Sequence, residues 1–201
     1  LPNMIRGNDA SNRETSDAPL WLFVVCADWI EKGLGRGLFS ENCRGRSLAD
    51  ILRCIGDAYC TGTGNGICMD PESSLVFSPA HFTWMDTNHP AGTPRQGYPV
   101  EIQALWYSAL GVLEKLFPGE KKWTELRTGA AESIRTFFYR PELGFLSDCL
   151  HAVSGKAARD AIPDDALRPN QLFAVTLGAL RDNEIAAKVV DACEELLIPG
   201  A

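Results

Sequence analysis

Long apolar runs, clustered positive charge and paired cysteines are all missing from this sequence, and each absence excludes a class of protein. No apolar stretch reaches the roughly 18 residues that a membrane-spanning helix needs. Lys and Arg number 19 against 26 Asp and Glu over 201 residues, a net charge of −7, with no basic run. Nucleic acid and anionic membrane surfaces both require concentrated positive charge, so neither is expected as a partner. Seven cysteines (Cys26, Cys43, Cys54, Cys60, Cys68, Cys149 and Cys193) are scattered without a C-x-x-C pair. An odd count, with several positions inside apolar stripes, reads as reduced, mostly buried thiols of a cytoplasmic protein. The histidines are His81, His89 and His151, at no metal-ligand spacing, so no metal and no cofactor are expected.

What is present is enough to build a core. The chain is 45% hydrophobic and 22% charged, which fits one globular domain or one large piece of a domain and not a disordered acidic tail. It opens Leu1-Pro2-Asn3-Met4 and stops at Ile198-Pro199-Gly200-Ala201, directly after a helix-like segment, so a piece of something longer is expected.

Helical periodicity recurs six times. Residues 16–33 place Leu20, Phe23, Val24, Ala27 and Ile30 on one stripe, with Ser16 or Asp17 as N-cap, Pro19 in the first turn and Gly33 as the stop. A second helix starts at Ser47, where Asp50 completes a capping box, and carries Ile51, Leu52, Ile55 and Tyr59. A Gly-rich turn at 61–66 leads to a short strand at 75–77, then to a loop over 78–99. The third helix starts near Pro99 and carries Ile102, Leu105, Trp106, Ala109, Leu110 and Leu113. A fourth follows Pro118-Gly119, with Trp123, Leu126, Ala130, Ile134 and Phe137 inward. After an extended segment at 145–150 and a polar loop at 154–165, Pro169 opens a fifth helix through Leu172, Phe173 and Leu177. The sixth spans about 182–197, with Ile185, Val189, Val190 and Ala192 apolar. Three successive helical hairpins joined by long aromatic-rich loops form an open arc, the arrangement an α/α toroid uses to build a pocket. The expected fold class is all-α, a partial (α/α)6 toroid with long irregular loops and a short β-hairpin.

The densest chemistry lies in Phe82-Thr83-Trp84-Met85-Asp86-Thr87-Asn88-His89, Thr93-Pro94-Arg95-Gln96-Gly97-Tyr98 and the helix start that follows, with Glu101 and Trp106. Aromatic faces for C–H surface and charged groups for hydroxyls are what a pyranose needs. A carboxyl beside a Trp in a water-poor loop has its pKa raised, which suits a general acid. Each residue also has an ordinary reading. Asp86 is a turn or cap residue; Glu101 complements the helix dipole; Trp106, at helical spacing from Gln103 and Leu110, is core packing. Asp17 is an N-cap, and Arg168 is a surface Arg pairing with Asp164 or Asp165.

Four ordered blocks carry a specific resemblance: Asp17-Ala18-Pro19-Leu20-Trp21, Thr83-Trp84-Met85-Asp86, the run from Thr93 through Arg95, Glu101 and Trp106 to Tyr107, and Leu167-Arg168-Pro169-Asn170-Gln171. In order and spacing they resemble the amylo-α-1,6-glucosidase family, the glucosidase domain of prokaryotic-type glycogen debranching enzymes. The resemblance implies an (α/α)6 toroid of which residues 1–201 are about half. It implies hydrolysis, with inversion, of the α-1,6-linked glucose at a glycogen branch point, so glycogen or a branched α-glucan is the expected partner. By the same resemblance Asp86 is the general acid, and Asp17, Trp84, Arg95, Glu101, Trp106 and Arg168 line the glucose pocket. At Arg13-Glu14 the chain departs from a Tyr-Asn pair common in the family, and no role is transferred there. An inverting mechanism needs a second carboxylate roughly 6.5–9.5 Å from the acid. The resemblance puts it in a later hairpin, while Glu184, Glu194 and Glu195 fall on a solvated helix face. The 201 residues alone are therefore expected to be catalytically inert. Another (α/α)6 glycosidase, trehalase-like or glucosidase-like, and a non-catalytic glucan-binding module remain alternatives at this stage. The sequence leaves oligomeric state open.

Overall fold

The computed structural model describes residues 5–33, 37–85 and 94–198. The fold is mostly α: six α-helices, with short strands and 3₁₀ turns between them, among the described residues. They are α1 (Ala18–Glu31), α2 (Leu48–Thr61), α3 (Val100–Leu116), α4 (Lys121–Ser133), α5 (Leu172–Thr176) and α6 (Asn183–Glu194).

Helix α3 is the hub, and its sequence explains why. Nearly every residue from Val100 to Leu113 is buried, as expected of a helix apolar on all sides. It packs against α1 and α5, with α2 and α4 also laid on it, while α6 packs on α5. One core cluster joins Leu20, Phe23 and Cys26 of α1 to Leu105, Trp106 and Leu110 of α3 and to Trp123 of α4. A second joins Val100, Ala104 and Tyr107 of α3 to Ile134, Phe138, Ala174 and Val189. Gly56 of α2 is forced by this packing, because a Cβ there would sit 2.5 Å from Leu113 Cδ1 and 3.1 Å from the Trp123 ring.

Local sequence rules account for the helix ends. Ser47 caps α2 by accepting from the Asp50 amide, and its hydroxyl donates to the Asp50 carboxylate. Asp182 caps α6, accepting from the Glu184 and Ile185 amides. Asp17 occupies the N-cap position of α1, yet its side chain makes no capping bond. Thr15 Oγ1 accepts from the Ala18 amide in its place and donates to Asp17. After α4 a π turn over Ile134–Phe138 takes up one extra residue. That rotates Phe138, not the expected Phe137, fully into the core.

The β content exceeds the single hairpin read from the sequence. Strands β1 (Asn42–Cys43) and β2 (Arg46–Ser47), β3 (Cys68–Met69) and β4 (Val76–Phe77), and β6 (Tyr139–Arg140) and β7 (Phe145–Leu146) form three antiparallel pairs. A three-stranded sheet runs β5-β8-β9, from Gly97–Pro99, Cys149–His151 and Ile162–Asp164. Its register pairs Tyr98 with Leu150 and Leu150 with Pro163. This sheet draws the start of α3, the extended segment and the expected polar loop to one place. The fifth helix is shorter than expected: Pro169–Gln171 form a 3₁₀ turn and α5 only five residues, before Gly178 at φ +72°.

The thiols also differ from expectation. All seven cysteines are free, but Cys43, Cys54 and Cys68 are exposed; only Cys26, Cys149 and Cys193 are buried, with Cys60 between. No helix of the described residues is long and apolar enough to cross a membrane.

Candidate functional site

A hollow of about 290 Å³ opens beside the start of α3, walled by Asp17, Trp21, Trp84, Glu101, Leu105 and Phe173. Three residues singled out from sequence, Asp17, Trp84 and Glu101, thus meet on one surface although they lie on three separate segments. The aromatic walls come from α1, the 78–85 loop and α5, and Trp21 meets Phe173 edge to face at 5.4 Å.

Ser16 fixes Asp17 against that loop. Its amide donates to Phe82 O (2.7 Å), its hydroxyl bonds Ser78 Oγ (2.7 Å), and its carbonyl accepts from Tyr59 Oη (2.8 Å). The Asp17 carboxylate, free of capping duty, is half-buried at the hollow.

Glu101 lies in the first turn of α3, as the dipole favours, but its side chain does more than complement the dipole. It is 1% exposed and is gripped by both Nη atoms of Arg95, with Nη2 2.6 Å from Oε2. Arg95 is fully buried, with Nη1 also donating to Thr83 Oγ1 at 3.2 Å. From its other side it reaches Asp148: Nε to Oδ2 at 2.9 Å, and Nη2 to Oδ1 and to the carbonyl, both at 3.2 Å. Arg168 Nη1 bridges Asp148 Oδ2 (2.9 Å) and Asp164 Oδ2 (3.0 Å). Asn170 Nδ2 donates to Asp148 Oδ1 (2.7 Å) and to Met85 Sδ (3.2 Å).

These charges are buried at a cost. Burial pushes the Glu101 carboxyl above the usual glutamate range, and Arg95 pulls against that shift. Burial also works against the Arg95 charge, but the Glu101 and Asp148 carboxylates outweigh it and raise its pKa. For Asp164, burial is opposed by the Arg168 hydrogen bond, which holds the carboxyl below the usual range. Arg95 in addition sits at φ +47°, a left-handed conformation that costs a non-glycine residue about 1–3 kcal/mol. Two residues further on is Gly97, whose φ of +129° and contact with the β8 backbone admit no side chain.

The structure separates the sequence candidates. Asp17, Trp84 and Glu101 wall the hollow. Arg95, expected on that wall, stands behind Glu101 with no exposed surface, because its donors are consumed by Glu101, Asp148 and Thr83. Arg168, also expected on the wall, is not part of the hollow's lining; it is 22% exposed and pairs with Asp164, as its ordinary reading has it, and with Asp148. Trp106, also expected on the wall, is in the core: fully buried, stacked on Tyr59 at 5.7 Å, its Nε1 donating to Ser74 O at 3.1 Å. Its neighbour Leu105 faces the hollow instead. Asp86 lies outside the described residues. Asp148 was not singled out from sequence; the signal was a carboxylate inside the apolar run Phe145-Leu146-Ser147-Asp148-Cys149-Leu150, which burial obliges to find cations.

Chemically the hollow offers aromatic faces to C–H surface and the half-buried Asp17 carboxylate as a hydroxyl acceptor. Among the described residues, no group of three or more His, Cys, Asp or Glu side chains is placed to hold a metal ion. A search of curated proteins returns no match. The sequence profile of one family, described as Amylo-alpha-1,6-glucosidase, fits residues 1–200. With essentially the whole length matched, the chain belongs to the amylo-alpha-1,6-glucosidase family.

Proposed function

We propose that this chain is part of a single (α/α)6 catalytic domain of a cytoplasmic glycoside hydrolase that removes α-1,6-linked glucose at glycogen branch points with inversion. The observation that carries the reading is the hollow itself: two carboxylates from different segments, three aromatic walls and a volume near the small end of ligand clefts, which run roughly 300–1,000 Å³. Such a hollow suits one pyranose ring. Trp21, Trp84 and Phe173 supply stacking surface and the half-buried Asp17 accepts hydroxyl hydrogen bonds, while Glu101 closes the wall with both oxygens held by Arg95.

Asp86, two residues after Trp84 in the sequence, is proposed as the acid that protonates the leaving O6 oxygen. Arg95 and Arg168 act from behind the wall, holding Glu101 and Asp148. The base is proposed to come from outside these 201 residues, since Glu184, Glu194 and Glu195 all stand exposed at the end of the chain. The packing of α1, α3 and α5 in one row, with α2, α4 and α6 laid against members of that row, is the order that an arc of such a ring requires.

The test is glucose release from a phosphorylase limit dextrin by the full-length polypeptide, with the anomer read by NMR. The β-anomer should appear first. Asp86→Asn should lower the rate about 10²-fold or more with binding retained. Release of glucose from trehalose and not from the dextrin would move the assignment to another glycosidase. An unchanged rate in the Asn variant would remove Asp86 from the chemistry.

A further inference from the structure

Asp148 is buried to 1% of its side chain, and both its carboxylate oxygens are filled. Oδ1 accepts from Arg95 Nη2 and Asn170 Nδ2; Oδ2 accepts from Arg95 Nε and Arg168 Nη1. It has neither surface nor lone pairs left for a ligand, so whatever it does for a sugar it does through its neighbours.

Its backbone is fixed as firmly. The Asp148 carbonyl accepts from the Val100 amide (3.0 Å), the first residue of α3, whose N-cap Pro99 has no side-chain acceptor to offer. The Asp148 amide donates to Asp164 O (2.8 Å). One residue thus ties the start of α3, the strand β9 and two guanidinium groups to a common point. Through Arg95 that point reaches both oxygens of Glu101 at the hollow. Through Asn170 it reaches Met85, next to the hollow-lining Trp84.

Stability alone is a poor account of this arrangement. Buried ion pairs seldom outperform apolar packing of the same volume, and here the pair also requires Arg95 in a left-handed backbone conformation. Strain and desolvation concentrated behind one wall of a hollow are expected where the direction of a carboxylate matters.

We infer that Asp148 is a positioning residue of the sugar site: acting through Arg95 it sets the direction of the Glu101 carboxylate, and acting through Asn170 it fixes the Met85 end of the loop that carries Trp84. The inference rests on the glucosidase reading above and adds to it a residue that no contact with sugar would reveal.

The experiment titrates D-glucose into the full-length polypeptide, following the fluorescence of Trp21 and Trp84, alongside KM and kcat for glucose release from limit dextrin. Asp148→Asn keeps the shape and removes the charge. Its folded form, measured well below its melting temperature, is expected to bind glucose at least tenfold more weakly, with KM raised in parallel and kcat lowered. A purely structural Asp148 would lower the melting temperature and leave the affinity of the folded protein unchanged, which overturns the inference. Should Asp148→Asn fail to fold, Asp148→Glu keeps the charge and displaces it by one methylene. The same loss of affinity is expected, and native affinity in that variant overturns the inference. If the native polypeptide neither binds glucose nor releases it, the glucosidase reading falls and this role falls with it. Native binding that survives both substitutions removes the role alone.

Discussion

Replacing Gly97 with alanine should damage the molecule far more than one methyl group suggests. A Cβ at this position would sit 2.2 Å from Leu150 O and 2.7 Å from the Ala152 amide nitrogen, both backbone atoms of the neighbouring strand. Ordinary contact distances for heavy atoms are about 3.5 Å, so the two strands must part by about 1 Å. The backbone cannot escape by rotation, since φ is +129°, where L side chains are strained. Three hydrogen bonds are at stake: Gly97 N to Ser78 O (3.0 Å), Ser78 N to Gly97 O (2.7 Å) and Ala152 N to Gln96 O (3.2 Å). At about 1 kcal/mol each, with about 1–3 kcal/mol of backbone strain, the cost is about 4–6 kcal/mol. Domains of this size lose about 2–4 °C of Tm per kcal/mol, so calorimetry should show a fall of about 8–24 °C. Glucose affinity should weaken as well, because Arg95 is delivered to Glu101 from two residues upstream. A fall below about 3 °C, with Gly97–His151 pairing still protected in amide exchange, would refute the argument that the β8 backbone leaves no room.

Two further predictions test the sorting of residues. Trp106→Phe removes the bond to Ser74 O and part of the stack on Tyr59, and should cost about 2 kcal/mol in chemical denaturation. Because the ring faces the core, glucose affinity should change less than twofold, and a larger change would return Trp106 to the sugar wall. Native-state alkylation with mass-spectrometric readout at neutral pH should modify Cys43, Cys54 and Cys68 first. Cys26, whose thiol burial pushes up to about 11, and Cys149, which burial raises further, should react only on unfolding. Modification of Cys149 at the rate of Cys43 would contradict the packing around Arg95.

Features whose physics is local were readable in advance. Ser47 and Asp50 form a capping box within four residues, and Pro99 marks the start of α3. What escaped depends on partners far along the chain. Nothing in Gly97-Tyr98-Pro99 announces Cys149-Leu150-His151 as its strand partner, because the pairing is set by the tertiary position of α3. Asp148 escaped for the same reason: its cations lie 53 residues upstream in Arg95 and 20 downstream in Arg168. Trp106 shows the converse. Its helical spacing from Gln103 and Leu110 pointed to the core, and the structure follows that local rule, whereas the position assigned through family resemblance pointed to the pocket. The π turn at Ile134–Phe138 breaks the 3.6-residue period that the inner stripe of α4 was read from, so Phe138 replaced Phe137.

The start of α3 shows how a mostly helical fold makes a rigid seat for a carboxylate. Four of the five positions from Pro99 to Gln103 are tied to different elements. Pro99 pairs with Cys149 in the sheet, the Val100 amide is capped by Asp148, Glu101 is held by Arg95, and Gln103 bonds both the amide and the carbonyl of Val76 in β4. The Gln103 side chain therefore acts as a strand edge, joining β4 to the helix. One turn further on, the Trp106 indole N–H reaches Ser74 O, the residue that leads into Leu75 and β4. A helix anchored at every side of its first two turns cannot roll or slide without breaking buried hydrogen bonds, each costly because its partner would be left unsatisfied. Glu101 thus inherits its position from backbone contacts that do not touch the hollow. Substitutions at Gln103, although the residue is buried and does not line the hollow, are expected to loosen the hollow in proportion to the play they allow α3.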